Sequence, residues 1–184
     1  MSREGSTPER AGDVLVQSRQ DQAAVRSWLL LSAQSADRAQ KEWEDGGIAL
    51  LKCGTRFTAV RIESELVHAA AASDEPEQVN AFLAEALGGP VFADRHARRY
   101  YALVPVSTAS MSEWRDKRLP GAECLGRDSY LGVPRPAFGD PDVCWTHWCV
   151  PMVEPGALCD ADAVSKLVAS ARHRLTVEEA RSGS

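Results

Sequence analysis

Apolar residues first recur with helical spacing at Val25, Trp28, Leu29, Ala36, Ala39 and Trp43, which predicts one helix face running to about Gly46-Gly47. Two short apolar or alternating runs follow, Ile48-Ala49-Leu50-Leu51 and Phe57-Thr58-Ala59-Val60-Arg61-Ile62. Cys53-Gly54-Thr55 between them reads as a turn joining two strands. Glu63 to Ala72 predicts an alanine-rich helix. Another helix starts at Pro76, whose fixed φ suits a first turn, and repeats Val79, Phe82, Leu83, Ala86 and Leu87 on one side before Gly88-Gly89-Pro90 stops it. Strands resume at Val91-Phe92 and at Tyr100 to Val104, across the basic turn Asp94 to Arg99. A further pair is predicted at Glu123-Cys124-Leu125 and Tyr130 to Val133, after which Pro134 and Pro136 lack the N–H a ladder needs. The last helix covers about Asp160 to Arg174. Helices and strands alternate unevenly, which predicts an α+β fold with a mixed, mostly antiparallel sheet packed with helices.

The two ends change the picture. Residues 1–20 carry scattered apolar positions among charges, and residues 176–184 end in Arg-Ser-Gly-Ser; both read as mobile segments around one α+β domain at 21–175. Apolar runs such as Trp28-Leu29-Leu30-Leu31 are far shorter than the roughly 18 residues of a membrane span, and the start MSREGSTPER lacks a secretory apolar stretch. Five cysteines is an odd number in a chain long enough to fold without staples, so the expected compartment is the reducing cytoplasm, with no membrane contact.

Several clusters hold chemistry-bearing side chains. Cys144-Trp145-Thr146-His147-Trp148-Cys149, with Cys159 beyond, raises the question of zinc. In an extended segment Trp145, His147 and Cys149 face one side and Cys144, Thr146 and Trp148 the other, so the two neighbouring thiols do not meet on one ion; packing of both tryptophans and the small thiols is the expectation. Asp160-Ala161-Asp162 sits where a helix starts and reads as a cap with a dipole-complementing acid. Six basic against two acidic side chains give residues 95–118 a local charge of +4 in a chain of net charge −5. That asymmetry suits one phosphate-facing surface, although a solvated turn and helix end explain it as well. Tyr100 and Tyr101 must face opposite sides of a strand, one toward the core. His68 and His173 are given no role.

Three patterns between Gly47 and Pro136 belong together. They are the strand Phe57-Thr58-Ala59-Val60-Arg61-Ile62-Glu63, the stretch His96-Ala97-Arg98-Arg99-Tyr100-Tyr101, and Gly126-Arg127-Asp128-Ser129-Tyr130-Leu131-Gly132-Val133-Pro134-Arg135-Pro136. In order and pattern this segment resembles the amino-terminal domain of the bifunctional DNA primase/polymerase family, part of the archaeo-eukaryotic primase superfamily. In that family the first strand carries Asp-x-Asp for metal ions, the second begins Ser-Gly-Gly-x-His for the nucleotide, and the third region runs Gly, Tyr, apolar residues, Pro-Pro-Ser. The third pattern matches best.

The first two depart at the chemistry. Arg61 stands where the resemblance places the first metal-binding Asp, and a guanidinium has no acceptor and repels a cation. Glu63 alone remains of the pair. Arg98 or Arg99 stands at the nucleotide-binding His, with His96 two or three residues early. The resemblance therefore implies a primase/polymerase-like module of DNA replication that is catalytically degenerate. It would act by binding a macromolecular partner, a protein above all, with a residual groove for a nucleotide or single-stranded nucleic acid. Carried over to the matched positions, the groove members are Arg61, Glu63, Arg99, Tyr101 and Tyr130; no catalytic residue, metal or cofactor is expected. Two other readings stay open: an active metal-dependent nucleotidyl transferase or nucleotide hydrolase built on Glu63, and a protein-interaction adaptor of unrelated ancestry.

Overall fold

The computed structural model describes residues 8–136 and 144–183, with side chains from residue 19 onward. Six α-helices and seven strands are described: α1 (Pro8–Leu30), α2 (Ala36–Gly46), β1 (Ile48–Lys52), β2 (Thr58–Glu63), α3 (Ser64–Ala71), α4 (Pro76–Leu87), β3 (Val91–Asp94), β4 (Arg99–Val104), α5 (Ser112–Arg115), β5 (Ala122–Cys124), β6 (Tyr130–Pro134), β7 (Thr146–Val150) and α6 (Ala161–Ser182). A 3₁₀ turn at Val106–Ser110 precedes α5. The fold is α+β, with every pairing between described strands antiparallel.

Five strands form one sheet in the order β5-β2-β4-β3-β7, while β1 and β6 make a separate ribbon. Strand alternation gives the large sheet two different faces. Val60, Ile62, Val91, Ala102 and Val104 point to α3, α4 and α6, where they meet Leu66, Val67, Val79, Leu83, Leu87, Val164 and Val168. Ala59, Phe92, Leu103 and Trp148 point the other way, against Val25 and Leu29 of α1, Trp43 of α2, and Ala49, Leu51, Leu131 and Val133 of the ribbon. Each fully buried Leu here is worth about 1.5–3 kcal/mol, so these two cores are the main source of stability. Trp43 ties α2 to the ribbon with Nε1 donating to the Val133 carbonyl at 2.9 Å.

The elements differ from the expectation in several places. The single helix predicted through Trp43 is two helices: the chain turns at residues 31–35, and Ser35 caps α2 with its Oγ accepting from the Arg38 N–H at 3.3 Å. Both helices put apolar residues on the same core, so the helical spacing runs through the break. The last helix continues to Ser182, because no Gly or Pro interrupts it before Gly183. The helix therefore covers residues 176–182 of the expected tail, and α1 begins at Pro8, inside the expected lead-in; residues 1–7 and Ser184 lie outside the described residues. The two strand pairs adjacent in sequence do not pair with each other. The turn between β1 and β2 forms, with the Gly54 N–H donating to the Phe57 carbonyl at 2.8 Å. Yet β1 pairs with β6 and β2 with β5, so the chain crosses between sheets at both places.

Trp145, just before β7, is 70% exposed and forms no part of the core, contrary to the expected packing of both tryptophans. Trp148 does pack, its ring edge-on to Phe92 and its Nε1 donating to the Pro134 carbonyl at 3.2 Å. His147 and Cys149 share a face, Nε2 and Sγ lying 3.9 Å apart. Asp160 caps α6 by accepting from the Ala163 N–H at 2.9 Å. His68 has a companion after all: its Nε2 lies 3.2 Å from the Tyr100 hydroxyl on the helix-covered face.

Candidate binding cleft at the uncovered end of the sheet

The ribbon and α1–α2 core cover only part of their side of the large sheet. From that core a register row on the same face crosses all five strands and leads out of it: Trp148, Phe92, Tyr101, Arg61 and Glu123. The row shades from aromatic to charged. Phe92 and Trp148 are buried, Tyr101 stacks on Phe92 with ring centroids 4.9 Å apart and planes at 18°, and Arg61 and Glu123 reach solvent. Two residues further along each strand, Glu63 of β2 faces Arg99 of β4, and Arg99 faces Asp94 of β3. Alternation thus puts Arg61, Glu63, Arg99 and Tyr101 on one face of two neighbouring strands.

A cleft of about 270 Å³ opens here, lined by Arg61, Glu63, Arg99, Trp114, Lys117 and Glu123 with the 119–122 loop as its rim. Arg61 Nη2 donates to Glu123 Oε2 at 2.6 Å, and Arg99 Nη1 lies 3.4 Å from Glu63 Oε1. Three cationic side chains therefore meet two carboxylates, and each carboxylate is already engaged by an arginine. Burial raises the Tyr101 phenol above its usual range, with Arg61 and Arg99 pulling the other way, so it stays a neutral ring at physiological pH.

Local chain geometry builds this end. Gly121 adopts φ +85°, and a Cβ there would stand 2.7 Å from Leu66 Cδ1 and 3.3 Å from Glu63 Oε2. Its carbonyl accepts the Glu63 N–H at 2.9 Å, so the Pro120-Gly121 turn fixes where Glu63 leaves the sheet. Arg98 and Lys117 are non-glycine residues at positive φ, 54° and 50°, on two loops that flank the cleft. The Trp114 indole is 6% exposed, with Nε1 buried and without a hydrogen-bond partner.

Of the five carried-over residues, Arg61, Glu63 and Arg99 line the cleft, Tyr101 lies next to Arg61 on the same sheet face without lining it, and Tyr130 lies elsewhere. Tyr130 belongs to the ribbon, opposite Lys52, where Gln34 donates to its hydroxyl; it takes no part in lining the cleft. The pairing of β6 with β1 rather than β5 removes it. Trp114, Lys117, Gly121 and Glu123 are the residues sequence reasoning missed. The Pro-Gly dipeptide and the basic stretch through Lys117 were visible signals, whereas the Glu123 register with Arg61 was not.

Among the described residues no three His, Cys, Asp or Glu side chains gather as a metal-holding group. Burial pushes the Cys149 and Cys159 thiols up to about 12 and Cys124 up to about 11, which keeps these three protonated and poor nucleophiles. No protein-family profile, curated protein or solved structure matches this chain.

Proposed function

We propose that this chain is a non-catalytic module on a primase/polymerase-like scaffold, acting in the cytoplasm through a macromolecular partner, and that the cleft around Arg61 and Arg99 is its groove for a nucleotide or single strand. One observation supports the reading: at the β2 position where the resemblance would put a metal-binding acid there is a guanidinium, paired with Glu123 at 2.6 Å. Arginine presents planar paired donors that match phosphate oxygens, so this arrangement suits holding an anion rather than activating one with a metal. Tyr101 beside Arg61 is a partly buried aromatic ring, a side chain of the kind whose face bases stack on. Among the described residues no helix is long and apolar enough to cross a membrane.

Thermal-shift titration of the wild-type chain with nucleotides, magnesium and short single strands tests the reading. Stabilisation that grows with strand or nucleotide concentration, independent of magnesium, is expected. No shift with any of them would end the groove reading and leave a protein partner alone.

A further inference from the structure

We infer that Glu63 and Glu123 are specificity residues of the cleft, built-in carboxylate competitors that occupy its two arginines until a polyanion displaces both together. This rests on the reading of the cleft as an anion groove. A carboxylate and a phosphate ask the same thing of a guanidinium, parallel N–H donors to two oxygens. Arg61 already gives one such N–H to Glu123 at 2.6 Å, and Arg99 is ion-paired with Glu63 at 3.4 Å.

The pairing is built by the strands and not by chance meetings of long side chains. Glu123 is the register partner of Arg61 across β5 and β2, and Glu63 that of Arg99 across β2 and β4. Glu63 is further held by its backbone bond to Gly121, whose missing Cβ leaves the space its carboxylate uses. Both carboxylates are nearly half exposed, 47% for Glu123 and 46% for Glu63, so on displacement they return to water at small cost. A monovalent anion exchanges one charge for an equivalent one and gains nothing. A chain of phosphates brings several charges to both arginines at once and wins the exchange, so the glutamates set a threshold of charge density for entry.

Binding of a short fluorescein-labelled oligothymidine, followed by anisotropy at fixed low salt, tests the inference with Glu63→Gln, Glu123→Gln and their combination. Glutamine keeps the shape and removes the charge. Glu85→Gln, an exposed acid on α4 across the sheet, controls for the change in net charge. Each cleft variant should bind about two- to fivefold tighter than wild type and the double variant tighter still, as expected for loss of one exposed ion pair apiece, while Glu85→Gln stays at the wild-type value. Wild-type binding with cleft variants equal to it, weaker than it, or matched by Glu85→Gln would overturn the competition and leave the groove standing. Absence of binding by every protein, variants included, would overturn the groove and the inference with it.

Discussion

Gly121→Ala puts the geometry of the cleft to a quantitative test. At φ +85° an L side chain is strained by about 1–2 kcal/mol. The added methyl also meets Leu66 Cδ1 at 2.7 Å, and Leu66 is 3% exposed in the helix-side core, so its movement adds about 1 kcal/mol. The expected loss is about 2–3 kcal/mol, which for a chain of this size lowers Tm by roughly 4–12 °C. Urea denaturation followed by circular dichroism reads the first number and a thermal scan the second. The same methyl crowds Glu63 Oε2 at 3.3 Å, so the variant should also bind single strands differently from wild type at a temperature where both are folded. A stability loss under about 0.5 kcal/mol would refute the argument that this turn needs glycine.

Other consequences follow from the same structure. Trp43→Ala removes a 2%-exposed ring and the bond joining α2 to the ribbon, and should cost about 3–5 kcal/mol in urea titrations. Burial first, and then Arg95, hold the His147 imidazole below its usual range, so the unfolded chain takes up a proton that the folded chain resists. Stability from this group is present above about pH 6.5 and falls as pH drops below it, and the pH 7 to pH 5 loss in urea midpoint should be smaller in His147→Gln than in wild type. Cys149 and Cys159, pushed up to about 12, should resist iodoacetamide at pH 8 in the folded protein and label in urea, as peptide mass spectrometry would show. Primer-extension reactions with magnesium or manganese should yield no product; a metal-dependent product that disappears in Glu63→Ala would promote the enzyme reading.

The local elements were legible because each carries its own signal: Pro76 and Gly88 bracket α4, and the 94–99 turn joins β3 to β4 in register. What periodicity does not contain is partnership. Helical spacing from Val25 to Trp43 survives a chain turn because α1 and α2 serve one core, and nothing in β1 or β6 announces that they leave the main sheet for each other. The end of α6 has only Val177 and Ala180 among polar residues, too few for an apolar stripe, even though its backbone stays helical. The candidate site shows the same division. Arg61, Glu63, Arg99 and Tyr101 follow from alternation on two strands that pair as neighbours. Glu123, Trp114 and Lys117 arrive from later in the chain through a register and a loop, and Tyr130 is lost through another register.

The most direct test of the account compares the wild-type chain with Arg61→Ala/Arg99→Ala in an anisotropy titration against a labelled single strand. Two lost contacts of about 1 kcal/mol each amount to roughly thirtyfold, and the account predicts weakening of that order with the fold intact by circular dichroism. Equal affinity of the two proteins would contradict it, because the strand would then be held somewhere other than the arginines on the open face of the sheet.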